Sequence, residues 1–541
     1  MKKILLFIAV CNLLLACSNS QTTTQEEREE KERKNITKRD VSITAGNSYS
    51  NLFLDSVVVE KFIVDQKVTD TLARRIRSFY NARNFQFAWF SEDGLTEQAR
   101  GYWNLHEYVT SYDGDSSLNH KGLQKTMDKY VAEEELTASA STSFINTELL
   151  LTQHFIQYML NNYEKGYVKR KEMERFIPSR KQDPLALADS LINKKHKDDK
   201  YFEDVNASYR GLKEHLKKYY DIAKNGGWPV VPFSKGMYKK GVASAAVATL
   251  KKRLELSGDM PGADTTLLFN DSVETGIKNF QLRHGFTADG KLTEALVKEM
   301  NVPAVTRLQQ VLMNMDRMRW MAAEPKGHLI VVNIPEFILH MYDGGKKVFD
   351  MVVVVGKEGH NTMMFNGDLN LVVFSPYWNV PSSIVKSEIL PAMNNNSNYL
   401  AKHNMEIVSS AGEIPEIRQK PGGENALGQV KFLFPNSFNI YFHDTPSKSL
   451  FEKDKRAFSH GCIRLKEPEK MANYILRNQP EWTPEKIAEA MNSGEEKFVK
   501  VKDPIPVIIT YYTAWADENG QLNFREDIYD HDAKLAKKMF N

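Results

Sequence analysis

The sequence predicts a multidomain α+β protein, in which a helical scaffold and a three-helix module precede a mostly antiparallel β domain with an inserted lid subdomain. Three observations predict this fold class. The chain has 541 residues, which is too many for one hydrophobic core. Apolar residues recur three and four positions apart through the first part of the chain, as in amphipathic helices. Further along, the pattern changes to short runs rich in Val and Ile, which favours strands.

The overall composition is typical of a soluble globular protein, with 42% hydrophobic and 26% charged residues. The 72 Lys and Arg residues nearly balance the 69 Asp and Glu residues, which leaves a formal net charge of +3. So small a net charge creates no long-range field that would attract nucleic acid. We therefore expect no nucleic-acid partner.

Residues 1–17 predict a lipoprotein signal peptide. Lys2 and Lys3 precede an apolar stretch that is too short to span a bilayer. The stretch ends in Leu-Leu-Ala-Cys, which resembles a bacterial lipobox and implies that Cys17 is lipidated and anchors the chain to a membrane. A plain secretory signal or a short buried helix is the alternative. Residues 18–50, which begin with a polar stretch of mixed charge, predict a disordered tether.

Residues 51–240 predict a helical scaffold domain, because apolar residues keep helical spacing over long stretches such as Leu149 to Met159. The aromatic residues between Phe85 and Phe90 are expected to lie in the core. Residues 241–302 predict a compact module of three helices. Asn270 is the expected N-cap of its second helix, and the turn Asp289-Gly290 precedes its third.

The module has a recognisable relative in sequence. Residues 273–297, VETGIKNFQLRHGFTADGKLTEALV, resemble the peptidoglycan-binding module that stands beside many cell-wall enzymes. A generic helical spacer is the alternative.

Residues 303–541 predict a domain that begins with a linking helix and continues as strands. The expected strands lie at 328–334, 337–342, 348–355, 369–374, 430–434, 440–443 and 507–515, and Asp343-Gly344-Gly345 predicts a hairpin turn. A sandwich or a partial barrel would accommodate them. Residues 382–427 are dense in Asn, Ser, Gly and Pro, and we interpret this insertion as a lid or a substrate-gripping subdomain.

Cysteine usage points to one residue. The chain has three cysteines, and Cys11 and Cys17 fall in the N-terminal segment, so Cys462 is the one free thiol of the mature body. Exported proteins usually pair their cysteines or avoid them, so a lone thiol suggests a function. A buried cysteine that acts as a small hydrophobic residue is the alternative.

The neighbours of Cys462 favour nucleophilic catalysis. A thiol needs a nearby base or positive charge to react as a thiolate, and His443, 19 residues upstream at the end of a predicted strand, is the candidate base. Gly461 allows the backbone to approach a bound carbonyl closely. The amides of Gly461 and Cys462 would then form an oxyanion hole.

The spacing of these residues is similar to a known signature. His443, followed after fifteen residues by Ser459-His460-Gly461-Cys462, resembles the signature of YkuD-type L,D-transpeptidases, with Arg464 at a position that is commonly Asn or Arg. The flanking runs YWNVP, FPN and HDTP agree with it. The order of scaffold, binding module and catalytic domain resembles the long, multidomain branch of this family.

The resemblance implies a mechanism on peptidoglycan tetrapeptide stems. Cys462 would attack the carbonyl of the third stem residue, normally meso-diaminopimelate, release the terminal D-alanine and form a thioester. His443 would act as base, oriented by the backbone carbonyl of Asp444. An amine of a neighbouring stem would resolve the thioester into a crosslink, whereas water would make the site an L,D-carboxypeptidase or a cysteine endopeptidase. A non-catalytic peptidoglycan-binding lipoprotein is the remaining alternative, and protein partners are unknown.

Further residues are expected to shape the site. The resemblance and the preference of Arg for planar carboxylates suggest substrate-binding residues, and these are Arg464, His460, Ser459, Trp378 and Asn379. Arg464 alone could also be a simple exposed charge. The spacings of His360, His403, His443 and His460 match no short zinc motif, so no metal and no cofactor are expected. The family resemblance also implies acylation by carbapenems and a periplasmic, membrane-anchored location in the cell envelope.

Overall fold

The computed structural model describes residues 35–110, 118–133, 136–162, 173–174, 176–193, 207–262, 266–320 and 327–541. The predicted signal peptide, Cys17 and the first part of the predicted tether lie outside these residues. Within the described ranges, no helix is both long enough and apolar enough to cross a membrane.

The first half of the chain is helical, as predicted. Its helices are α1 Ser56–Asp65, α2 Asp70–Ala82, α3 Glu97–Tyr108, α4 Lys121–Ala132, α5 Thr142–Asn162, α6 Pro184–Ile192 and α7 Ala207–Lys224, with a short hairpin of β1 Phe90–Ser91 and β2 Gly94–Leu95 between α2 and α3. The aromatic residues from Phe85 to Phe90 are buried in the core of this region, which confirms their expected packing role.

The predicted disordered tether is wrong for residues 35–50. Ile43 is fully buried, and Tyr49 belongs to the core of the helical region. The backbone of Ser48 forms an isolated bridge with Arg180. Burial of the Ile43 and Tyr49 side chains stabilises the packing of this segment against the helices.

The three-helix module is present, with helices α8 Ala245–Ser257, α9 Asp271–Arg283 and α10 Glu294–Met300 around a core of their own. The Asn270 side chain accepts a hydrogen bond from the N–H of Val273, so the predicted N-cap is confirmed.

The β domain is a closed ring of strands. Its members are β3 His328–Asn333, β4 Ile338–Asp343, β5 Lys346–Gly356, β6 Asn366–Phe374, β10 Val430–Leu433, β11 Phe442–His443, β12 Ala457–Ser459, β13 Ile463–Leu465 and β14 Lys497–Thr510. Among the described residues, eight strands close in the order β5-β13-β11-β10-β6-β14-β3-β4, because β4 pairs back onto β5, and β12 extends the edge beside β5.

Most strand pairs are antiparallel, as predicted, but β11 with β13, β14 with β3 and β12 with β5 are parallel. The two short strands β12 and β13, which flank Cys462, were absent from the expected strands. The predicted strand at 507–515 instead begins at Lys497 and ends at Thr510, before a separate hairpin of β15 Ala514–Ala516 and β16 Leu522–Phe524. Helices α15 Pro468–Leu476 and α16 Pro484–Asn492 pack their apolar sides onto the core of the ring.

The core of the helical region extends past residue 303. The linking helix α11 Ala304–Met318 contributes Leu308 and Leu312 to the scaffold core, and the C-terminal helix α17 His531–Met539 contributes Leu535. The sequence assigns both helices to the catalytic domain, whereas their apolar sides complete the core of the helical region. The packing of α11 and α17 therefore crosses the predicted domain boundary at residue 303, and this boundary stays a prediction.

The insertion at 382–427 has a fold of its own. It contains α12 Ser382–Ile384, a π-helical turn Val385–Ile389, α13 Leu390–Asn395, α14 Tyr399–Lys402 and the strands β8 Met405–Ser409 and β9 Glu416–Gln419. The strand β7 Trp378–Asn379, which precedes the insertion, pairs with β9 and completes a sheet in the order β7-β9-β8. Val385, Ile389 and Ile417 of the insertion form a small core with Val380, which precedes it. We refer to residues 382–427 as the lid.

Candidate active site

Strands β11 and β13 place the candidate catalytic residues side by side. They run parallel with Phe442 opposite Ile463 and His443 opposite Arg464. Phe442 and Ile463 are fully buried in the core of the ring. Successive side chains of a strand point to opposite faces, so their neighbours share the outer face. These neighbours are Tyr441, His443, Cys462 and Arg464.

His443 is buried, with 5% of its surface exposed, and its Nδ1 contacts the backbone carbonyl of Asp444. A carbonyl can only accept, so Nδ1 carries the proton and Nε2 of the neutral ring is left as an acceptor. Burial lowers the pKa of His443 to about 3, and the nearby Arg464 guanidinium adds to the decrease. The imidazole is therefore neutral at physiological pH, the form that a general base requires.

The Asp444 side chain faces away from the imidazole. Its Oδ2 accepts the N–H of Gln429 at 2.9 Å, and its Oδ1 pairs with Lys448. Among these contacts, Asp444 interacts with His443 only through its backbone carbonyl. This is the arrangement that the resemblance implies.

Cys462 is free and half-buried. Its thiol donates to the carbonyl of Asn439, with 3.7 Å between Sγ and O, and the Tyr441 hydroxyl hydrogen bonds to it. Burial raises the pKa of Cys462, while Tyr441 and Arg464 oppose the increase. No hydrogen bond joins Sγ to His443 within the described residues, so the resting pair is a neutral thiol near a neutral imidazole. Such contacts often tighten only when substrate binds.

The catalytic loop, residues 459–462, is held by its own serine. Ser459 Oγ donates to the carbonyl of Cys462 at 2.5 Å and accepts the N–H of Gly461 at 3.1 Å. Ser459 is 2% exposed. This corrects the expectation that Ser459 binds substrate, because its hydroxyl is enclosed and already both donates and accepts.

The same bond corrects the expected oxyanion hole. The Gly461 N–H is occupied by Ser459 Oγ and is not available to a substrate oxygen. The Cys462 N–H has no acceptor among the described residues, so this amide remains available to a substrate oxygen. Gly461 has a φ of +112°, a backbone conformation that residues with a side chain rarely adopt, so the turn itself requires glycine here.

Arg464 lies beside the thiol and the imidazole. Its guanidinium is partly buried, and its Nε has no hydrogen-bond partner among the described residues. Burial lowers the pKa of Arg464, and the neighbouring Cys462 opposes the decrease. A desolvated, incompletely bonded guanidinium favours binding of an anion such as a carboxylate. Its predicted role in substrate binding stays a prediction.

A side chain of the lid contacts the catalytic loop. His460 Nε2 lies 3.1 Å from Glu388 Oε1, in the π-helical turn of the lid. The His460 ring also packs against His360, with 4.7 Å between ring centroids. His460 is thus engaged by the lid in this conformation, and its contact with substrate stays a prediction.

Trp378 and Asn379 lie in the sheet at the base of the lid, where β7 pairs with β9. Trp378 packs on the small core of the lid, and Asn379 is exposed. None of their described contacts is to the catalytic loop, and their role in substrate binding stays a prediction. Tyr441, which does contact Cys462, is a residue that sequence reasoning missed, although its place two positions before His443 on a strand could have indicated it.

Three family models match the chain. Residues 327–509 match the model described as "L,D-transpeptidase catalytic domain". The chain contains an L,D-transpeptidase catalytic domain. Residues 74–216 match a "Scaffold domain", and residues 243–300 match a "Putative peptidoglycan binding domain". The three matches confirm the predicted resemblance and fold class, and Cys462, His443 and the lid all lie within the catalytic-domain match.

A curated protein with a similar sequence carries the name of this domain. A curated Haemophilus influenzae protein, named "Putative L,D-transpeptidase", is 31% identical over 253 residues, which cover 44% of this chain and 50% of that protein. The chain thus spans about half the length of this relative.

Two solved structures are also similar. That of an L,D-transpeptidase from Stackebrandtia nassauensis has 14% sequence identity and covers 52% of this chain and 96% of that one, with a TM-score of 0.22. One from Mycobacterium smegmatis has 15% identity and covers 34% and 58%, with a TM-score of 0.19.

Proposed function

We propose that this chain is a peptidoglycan L,D-transpeptidase that crosslinks stem peptides through a thioester on Cys462. The observation that carries the proposal is the outer face of β11 and β13, where a free thiol, a neutral imidazole with a free Nε2 and a guanidinium lie together. The match of residues 327–509 to the catalytic-domain model supports it.

In the proposed acylation, His443 Nε2 accepts the thiol proton as Sγ attacks the carbonyl carbon of the third stem residue. The Cys462 N–H donates to the developing oxyanion, because a preorganised amide stabilises charge that forms in the transition state. The C–N bond then breaks, and imidazolium returns the proton to the leaving amine of the terminal D-alanine. The product is a thioester on Cys462.

In the second step an amine of a neighbouring stem attacks the thioester carbonyl, and His443 accepts a proton from that amine. The C–S bond breaks, and Sγ leaves as a thiolate that regains the proton from the imidazolium. The free enzyme is restored and an amide crosslink is formed. Water in place of the amine would give the hydrolysed stem.

A crosslinking assay with purified tetrapeptide muropeptides as substrate tests the proposal. The wild-type chain is expected to give crosslinked dimers that Cys462→Ala does not give, with the fold of the variant checked by its thermal unfolding. Crosslinking by Cys462→Ala at the wild-type rate would refute the mechanism. Products that are hydrolysed stems alone would support the carboxypeptidase alternative.

We further propose that the chain acts in the cell envelope, held at a membrane by lipid on Cys17 and at the wall by residues 241–302. Wild-type protein is expected to partition with membranes, and Cys17→Ser to be released into the soluble fraction. Equal partition of the two would refute the lipid anchor without bearing on catalysis.

A further inference from the structure

A buried hydroxyl lies directly behind the catalytic loop. Thr362 Oγ1 donates to the carbonyl oxygen of Gly461 at 2.7 Å and accepts the N–H of Gly356 at 2.9 Å. Thr362 is 2% exposed, so these bonds are shielded from water. The hydroxyl therefore fixes the Gly461 carbonyl to strand β5, on which Gly356 is the last residue.

The bond to the Gly461 carbonyl also sets the direction of an amide. The Gly461 C=O and the Cys462 N–H belong to one trans peptide unit, in which they point in opposite directions. Thr362 holds the carbonyl on the back of the loop, so the Cys462 N–H is directed away from Thr362. This is the amide that has no acceptor among the described residues.

A second side chain holds Thr362 itself. The Tyr529 hydroxyl donates to the carbonyl of Gly356 at 2.6 Å and accepts the N–H of Thr362 at 3.2 Å. The turn between these residues is tight, because a Cβ on Gly356 would lie 2.0 Å from the carbonyl oxygen of His360. Tyr529 is buried and thus joins the two ends of a turn that tolerates little movement.

Tyr529 is connected to the helical region. Its N–H donates to the Tyr511 hydroxyl at 2.9 Å, and helix α17 follows it directly. Asp532 in α17 pairs with Arg317 of α11 at 2.5 Å, and Leu535 lies in the scaffold core. The support behind the catalytic loop is therefore anchored outside the β domain.

We propose that Thr362 is a positioning residue that orients the Cys462 amide toward the substrate oxygen, and that Tyr529 holds Thr362 in place. This inference deepens the proposed function and rests on it. Without the Thr362 hydroxyl, the peptide unit between Gly461 and Cys462 can rotate, since a glycine on its N-terminal side resists rotation little. The N–H would then be misdirected while the thiol and the imidazole remain.

Thr362→Val removes the hydroxyl and keeps the shape, whereas Thr362→Ser keeps the hydroxyl. Thr152→Val is the matched control, because Thr152 is equally buried in the scaffold and its hydroxyl bonds to Tyr80 and Trp89. Two readouts are needed: kcat and KM on tetrapeptide substrate, and hydrogen exchange of peptides that cover residues 458–463.

Thr362→Val is expected to lower kcat about tenfold with KM little changed, the size expected when an oxyanion donor is misaligned but present. Exchange over the loop becomes faster, Thr362→Ser restores both readouts, and Thr152→Val changes neither. A kcat for Thr362→Val equal to that of Thr152→Val, or unchanged exchange over the loop, would overturn the proposal. Should Thr362→Val fail to fold, Tyr529→Phe against Tyr80→Phe gives the same comparison. If wild-type protein has no activity, the proposed function fails, while the exchange result still decides whether Thr362 orders the loop.

Discussion

The front and the back of the catalytic loop differ in how completely their polar groups are bonded. On the front, the Cys462 thiol has a long contact of 3.7 Å with Asn439, and Arg464 Nε has no partner among the described residues. On the back, the hydroxyls of Ser459 and Thr362 each donate one hydrogen bond and accept another, away from water.

The difference indicates a division of labour. Buried polar groups are normally bonded, so incompletely bonded ones at a surface indicate where a ligand supplies the missing partners. The fully bonded back holds those groups in one geometry before substrate arrives, which reduces the cost of ordering them during the reaction. Substitutions on the front should therefore change chemistry with little effect on stability, whereas substitutions on the back should change both.

The largest expected effect on the front is that of His443→Gln. Loss of the base should lower kcat about 10²- to 10⁴-fold, the range that general acid–base catalysis usually contributes. The melting temperature should change little, because the imidazole is neutral and makes one bond to the Asp444 backbone. His340→Gln, which alters a histidine on β4 paired with Asp350, is the control and should keep its activity. Full activity in His443→Gln would exclude His443 as the base.

On the back, Ser459→Ala should lower both stability and activity. The Gly461 N–H would lose its buried acceptor, at a cost of about 1–3 kcal/mol in the free energy of unfolding. Ser375→Ala is a matched control, since Ser375 Oγ is also buried and accepts the N–H of Gly494 far along the chain from the loop. Both variants should lose stability in urea unfolding, but kcat should fall only in Ser459→Ala. Equal kcat values would show that the back of the loop has no influence on chemistry.

Arg464→Gln should change the pKa values of Cys462 and His443 on the front of the catalytic loop. The guanidinium lowers the pKa of Cys462, so its removal should move the alkaline midpoint of thiol alkylation to higher pH. It also lowers the pKa of His443, which should rise in the variant. The rate of reaction with iodoacetamide measured against pH reports the first change, with Arg477→Gln as the control. A midpoint that stays in place or falls would contradict the assigned contact.

The smallest expected effect is at the contact between lid and loop. The Glu388 and His460 side chains are partly exposed, and burial lowers the pKa of His460, so the imidazole is uncharged at neutral pH. Even exposed ion pairs contribute only about 0–1 kcal/mol. Glu388→Gln should therefore change KM by at most about fivefold and leave kcat unchanged. Glu416→Gln, elsewhere in the lid, should match the wild type. A large fall in kcat would place this pair in the chemistry rather than at its border.

The sequence was sufficient for features that depend on local patterns. Short runs rich in Val and Ile located most strands of the ring, helical spacing located the three-helix module, and Asn270 was identified as a cap. The run from Ser459 to Cys462, with His443 at its distance, located the centre of the site. Each of these patterns is formed by residues that lie close together in the sequence.

Features that depend on distant residues could not be predicted in the same way. Ser459 follows the motif, but only its burial reveals that its hydroxyl is used within the loop. Thr362 lies 99 residues from Gly461, and Tyr529 lies 167 residues from Thr362, so no local pattern connects them. The burial of Ile43 likewise depends on helices far along the chain.

Intact-protein mass spectrometry during turnover tests the central claim most directly. Mixed with tetrapeptide substrate and quenched in acid, the wild-type chain should gain the mass of the tetrapeptide substrate minus that of the released D-alanine. Peptide mapping should place this adduct on Cys462, and Cys462→Ala should lack it. Turnover without any adduct on Cys462, or an adduct that maps to another residue, would contradict a thioester mechanism at this site.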